Sequence, residues 1–132
     1  MAVETQKLPN EPILIITAKG KFTPENIETS FNEINKYYDP DGEMLYIISD
    51  NTELDMSFSD VVTGLASVTR REGFRFGAPN SMLIMVGTSE MVRLGTEAMK
   101  QKQYGNLEVP MFDNIDDAIA FARNHHKENA SS

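Results

Sequence analysis

Met44-Leu45-Tyr46-Ile47-Ile48, an apolar run closed by Ser49-Asp50, is the stretch whose reading decides the fold. It is too short for a buried helix and rich in side chains that favour strands. An unbroken run, unlike strict alternation, suits a strand whose two faces are both covered. Ile13 to Ile16 and Met82 to Val86 have the same character, and segments of helical period separate all of these runs. That alternation predicts one α/β domain with mostly parallel neighbours.

Upstream, Val3 to Leu8 reads as an edge strand, and Pro9-Asn10-Glu11-Pro12 as a turn into the strand Ile13 to Ala18. Gly20 suggests a bulge or bend. Thr23-Pro24-Glu25 has the cap, first-turn proline and acid of a helix start, and Ile27, Phe31, Ile34 and Tyr38 form one apolar stripe. Asp39-Pro40-Asp41-Gly42 is a turn. Past the central strand, 51–56 reads as a loop. Ser57-Phe58-Ser59-Asp60 has the form of a capping box, and Val61, Leu65 and Val68 carry a second helix to about Gly73.

Downstream, Gly87-Thr88-Ser89 leads from the third strand into a helix with Met91, Leu94 and Ala98 expected inward and Gly105 as its stop. Leu107 to Phe112 reads as a last strand, placed at an edge by Pro110. Asp113 and Asp116 are expected to cap a final helix with Ile115, Ala118, Ile119 and Ala122 inward. Residues 1–123 thus make a single domain, and 124–132 a polar tail expected to fray.

The 132 residues hold 40% hydrophobic side chains, enough for a core without disulfide or metal support. Cysteine is absent, which excludes thiolate ligands and a cysteine nucleophile. The net charge of -8 makes nucleic acid and anionic membrane poor partners. Arg70, Arg71 and Arg75, with Lys100 and Lys102, read either as solvated helix ends or as an anion-binding patch. No leader pattern or bilayer-length apolar stretch occurs, and the expected location is cytoplasmic.

Chemistry-bearing residues are sparse. The two histidines, His125 and His126, are adjacent in the tail and diverge on a helix by about 100°. Asp50, Glu53 and Asp55 follow the central strand, where open α/β sheets place ligands, but ligand oxygens must converge in space. Gly87, Thr88 and Ser89 are anion-binding candidates because they precede a helix N-terminus. The P-loop pattern and its lysine are missing, and Ser89 serves equally as an ordinary N-cap. Met82, Met85, Met91 and Met99 fill a core or line an adaptable surface. No metal, cofactor or catalytic set is expected.

Three stretches carry a family likeness: Ile13 to Thr23, Met44 to Asp50 with Ser57 to Val68, and Phe112 to Phe121. Together they resemble the STAS domain family of anti-sigma-factor antagonists, in particular its SpoIIAA-like branch. The resemblance implies a four- to five-stranded, mostly parallel or mixed sheet with four helices largely on one face. It also implies a regulatory or binding role without catalysis. The antagonists carry a phosphorylated serine in an Asp-Ser-Ser-Gly or Asp-Ser-Thr-Gly motif at the start of the signature helix. The corresponding Asp55-Met56-Ser57-Phe58 keeps the aspartate and Ser57 but replaces the first hydroxyl residue and the glycine.

Two functions follow as expectations. One is a non-enzymatic regulatory or protein-interaction domain that uses Asp50, Asp55, Ser57 and Ser59 toward a protein partner or a second copy in a homodimer. The other is a carrier or sensor of a small apolar or anionic ligand such as a lipid or nucleotide.

Overall fold

A computed structural model describes residues 2–70 and 76–130. Five strands form one sheet in the order β1 (Ala2–Lys7), β2 (Ile13–Lys21), β3 (Leu45–Asp55), β4 (Ser81–Val86) and β5 (Met111–Phe112). β1 runs antiparallel to β2, and the remaining pairs are parallel. The helices are α1 (Pro24–Asn35), α2 (Phe58–Arg70), α3 (Glu90–Ala98) and α4 (Ile115–Ala130).

The apolar runs are continuous because successive strand residues feed two different cores. Leu14, Ile16, Leu45, Ile47, Leu83 and Met85 point to one face, where Phe31 and Ile34 of α1, Val61 and Leu65 of α2 and Val92 of α3 meet them. Ile13, Ile15, Tyr46, Ile48, Ile84 and Val86 point to the other, against Ala118 and Ala122 of α4. Each fully buried aliphatic side chain contributes about 1.5–3 kcal/mol, so both layers matter to stability. Three helices share one face, as expected, but α4 covers the second. Its alanines, fully buried, let the helix lie close to the sheet.

Several local expectations change in the folded chain. Residues 51–55 are strand and not loop: Lys19, Gly20 and Lys21 pair with Glu53, Leu54 and Asp55, and Lys19 bridges Glu4 and Glu53 at 3.9 and 3.6 Å. The step from Thr17↔Asp50 to Lys19↔Glu53 sets two residues of β2 against three of β3, a bulge next to Gly20 with its φ of 81°. Thr23 holds the N-cap position of α1 without a side-chain cap bond. Asn114, not Asp113 or Asp116, caps α4 by accepting from the Asp117 amide at 2.9 Å. β5 shrinks to Met111–Phe112, because the Leu107 amide bonds to the Met99 carbonyl instead of a strand. Gly105, in the left-handed region at φ 104°, ends a short 3-10 turn after α3, which itself stops at Ala98.

The expected tail is helix as far as Ala130. Tyr46 Oη and His125 Nδ1 lie 2.7 Å apart, His126 Nε2 sits 3.2 Å from Glu43, and Arg123 pairs with Glu11 at 3.1 Å. These contacts hold the last turns of α4 against the start of β3 and the β1–β2 turn. Burial of the Tyr46 ring, with Glu43 nearby, pushes its hydroxyl above the usual tyrosine range.

Candidate functional site

A cavity of about 150 Å³ lies between the three-helix face of the sheet and helices α1, α2 and α3. Its position follows from sequence events on each element. On β3, Ser49 and Asn51 continue the inward period of Leu45 and Ile47, so the strand's inner face turns from aliphatic to polar. On α2 and α3, Gly64 and Gly95 line the space and leave volume where side chains would stand. A Cβ on Gly64 would meet Phe22 Cζ at 3.2 Å, whereas one on Gly95 would meet Val61 Cγ1 at 3.6 Å. Phe31 and Phe76, with ring centroids 4.9 Å apart, supply aromatic wall.

The described polar side chains that line this space are Asn26, Ser30, Ser49, Asn51 and Thr96. Asn51 Nδ2 donates to Met85 Sδ at 2.9 Å and to Ser49 Oγ at 3.2 Å. Thr96, buried on α3, donates its hydroxyl to the Val92 carbonyl at 2.8 Å. Among the described lining residues none carries a charge. The described lining is therefore mainly apolar.

The candidates read from the sequence fall elsewhere. Asp50 sits on the α4 side of β3, level with Thr17 and Val86, and its Oδ1 accepts from the Thr52 amide and hydroxyl at 3.1 and 2.8 Å. Asp55 ends the same strand, five residues and roughly 16 Å further along. Ser57 and Ser59 are together, with hydroxyl oxygens 3.1 Å apart. Ser57 also completes the capping box, accepting from the Asp60 amide at 3.2 Å while Asp60 accepts from the Ser57 amide at 2.9 Å. Among the described residues no three His, Asp or Glu side chains converge as a metal-ligand group.

At the end of β4, two of the amides around the Gly87 to Ser89 loop are engaged. The Gly87 amide bonds to the Phe112 carbonyl at 3.0 Å, and the Val92 amide to Ser89 Oγ at 3.1 Å. Thr88 is exposed. Arg71 and Arg75 of the basic patch lie outside the described residues, as does Gly73. The methionines divide between the faces: Met85, Met91 and Met99 line the cavity, while Met82 packs on the α4 side. Leu94, expected inward, is 41% exposed, because Val92, Thr96 and Met99 form the buried stripe of that segment.

Sequence reasoning missed the cavity wall, above all Ser49 and Asn51. The signal was an alternation running past Ile48, which reads as a loop only while Lys19 to Lys21 is not seen as its partner.

No family model matches the chain, and no curated protein does. A solved structure does: an uncharacterised protein of the DUF3478 family with a SpoIIAA-like fold, from Shewanella loihica PV-4, superposes with a TM-score of 0.60. The match covers 92% of each chain at 19% identity. The chain has a SpoIIAA-like fold. At that identity the likeness describes architecture, a five-stranded mixed sheet with four helices among the described residues. No described helix is long and apolar enough to cross a membrane.

Proposed function

We propose that this SpoIIAA-like domain is a non-enzymatic binding module that takes a small apolar molecule into the cavity between the sheet and helices α1 to α3. The observation that carries the reading is the cavity itself: about 150 Å³, walled mainly by aliphatic, aromatic and methionine side chains. A half-open apolar space of this size accommodates a benzene-sized molecule, so the expected occupant has about six to ten non-hydrogen atoms. Toluene titrated into protein labelled at its methionine methyl groups tests this. Saturable shifts are expected at Met85 and Met99, with Met44 and Met82 on the α4 side as internal controls. Shifts of equal size at all four methionines, or none up to the solubility of toluene, reject the cavity as a ligand site.

A second reading, a protein-interaction role, is favoured by one surface observation. Phe58 and Val62, one turn apart on α2, are 63% and 50% exposed beside Ser57 and Ser59. Exposed apolar residues at that spacing suit a partner protein or a second copy of the chain. Sedimentation of wild type and Phe58→Ser across a concentration series tests self-association. Recovery of specific partners from extract, lost with Phe58→Ser, tests a heterologous one. Identical behaviour of the two proteins in both assays removes this surface from consideration.

A further inference from the structure

We infer that the cavity selects a neutral molecule bearing one hydrogen-bond-accepting oxygen, such as a small ketone, aldehyde or ether, over both a hydrocarbon and an anion. The inference rests on the cavity being a ligand site and concerns the polar spot within it. Asn51 carries two N–H donors. One is spent on the Met85 thioether at 2.9 Å and the other on Ser49 Oγ at 3.2 Å. A thioether sulfur is a weak acceptor, so a carbonyl or ether oxygen that displaces it gives the same donor a stronger partner. The rest of such a ligand meets Ile16, Phe31, Leu65, Phe76 and Met99.

An ionised head group fares differently. It must shed its hydration, and no charged side chain stands among the described lining residues to replace it. A pure hydrocarbon fills the space but leaves Asn51 on its sulfur, gaining nothing from the amide. Selectivity is assigned to the Asn51 amide at the carboxyl-terminal half of β3, set there by the strand extension past Asp50, because Asn26 and Thr96, which also line the space, already donate to the Lys21 and Val92 carbonyls.

Cumene, acetophenone and benzoate, matched in heavy-atom count, separate these cases when titrated into the full chain and followed at the Met85 and Met99 methyls. Acetophenone is expected to bind at least about tenfold more tightly than benzoate. Asn51→Leu is expected to weaken acetophenone about fivefold and leave cumene unchanged or tighter. Should the leucine variant fail to fold, Asn51→Val removes the donor with a side chain that suits a strand and is expected to weaken acetophenone by a similar factor. Benzoate binding as well as acetophenone overturns the inference, and so does an equal loss of cumene and acetophenone in the variants. If cumene binds but the Asn51 variants do not discriminate, the cavity stands and only the amide's role falls. If none of the three probes binds, both fall.

Discussion

Gly64→Ala and Gly95→Ala form a matched pair that measures how tightly the cavity wall is built. Both glycines lie inside helices, so each alanine brings the same backbone gain of about 0.8–1 kcal/mol. Their surroundings differ. At Gly95 the new methyl stands 3.6 Å from Val61 Cγ1, ordinary contact, and the gain should survive. At Gly64 it stands 3.2 Å from Phe22 Cζ, so the ring or the helix must give way. A displaced ring costs about 0.5–1.5 kcal/mol if it leaves its rotamer, which cancels most or all of the gain. Urea denaturation followed by far-ultraviolet circular dichroism reads the outcome. Gly95→Ala should raise the midpoint by about 0.3–1 M, given slopes of about 1–3 kcal/mol/M, while Gly64→Ala should leave it unchanged or lower it. Equal stabilisation by both would refute the Phe22 contact. Destabilisation by Gly95→Ala would refute the α2–α3 packing described above.

Ser57→Ala should cost about 1 kcal/mol of unfolding free energy by removing the acceptor for the Asp60 amide, and Thr23→Ala much less, since Thr23 makes no cap bond. Chemical denaturation of the two variants under one set of conditions tests the contrast. Because the folded chain holds the Tyr46 hydroxyl above its ordinary range, its contribution is fully present below about pH 10 and is lost as pH rises toward the raised folded value. Tyr46→Phe should therefore flatten the alkaline fall in stability, and an unchanged slope would place the ionising group elsewhere. Deleting residues 124–132 should destabilise the domain by about 1–3 kcal/mol, because the buried Tyr46 hydroxyl loses His125. A deletion with no effect on thermal melting would return that segment to a dispensable tail.

The likeness to a SpoIIAA-like fold was legible in the sequence because its signals are local. The runs at Ile13, Met44 and Met82 carry their own period, and the Ser57 to Asp60 box closes within one turn. The stripe of Phe31 and Ile34 needs only helical geometry. Some readings failed locally, as with Asn114 capping α4 and Leu94 facing outward, but the larger ones depended on a neighbour distant in sequence. Residues 51–55 look like a polar loop until Lys19 to Lys21 pairs with them, and the His125 segment looks frayed until Tyr46 reaches it.

Sequence by itself therefore determined that strands and helices alternate, where most of them begin, and that the central strands are apolar on both faces. Periodicity and capping are properties of a few neighbouring residues, and no folded partner is needed to read them. Only the tertiary structure decided that α4 covers the second face and that Ser49, Asn51, Gly64, Gly95 and Met85 surround one cavity. A cavity is space left over when separate elements pack, so its walls meet only after the chain has folded.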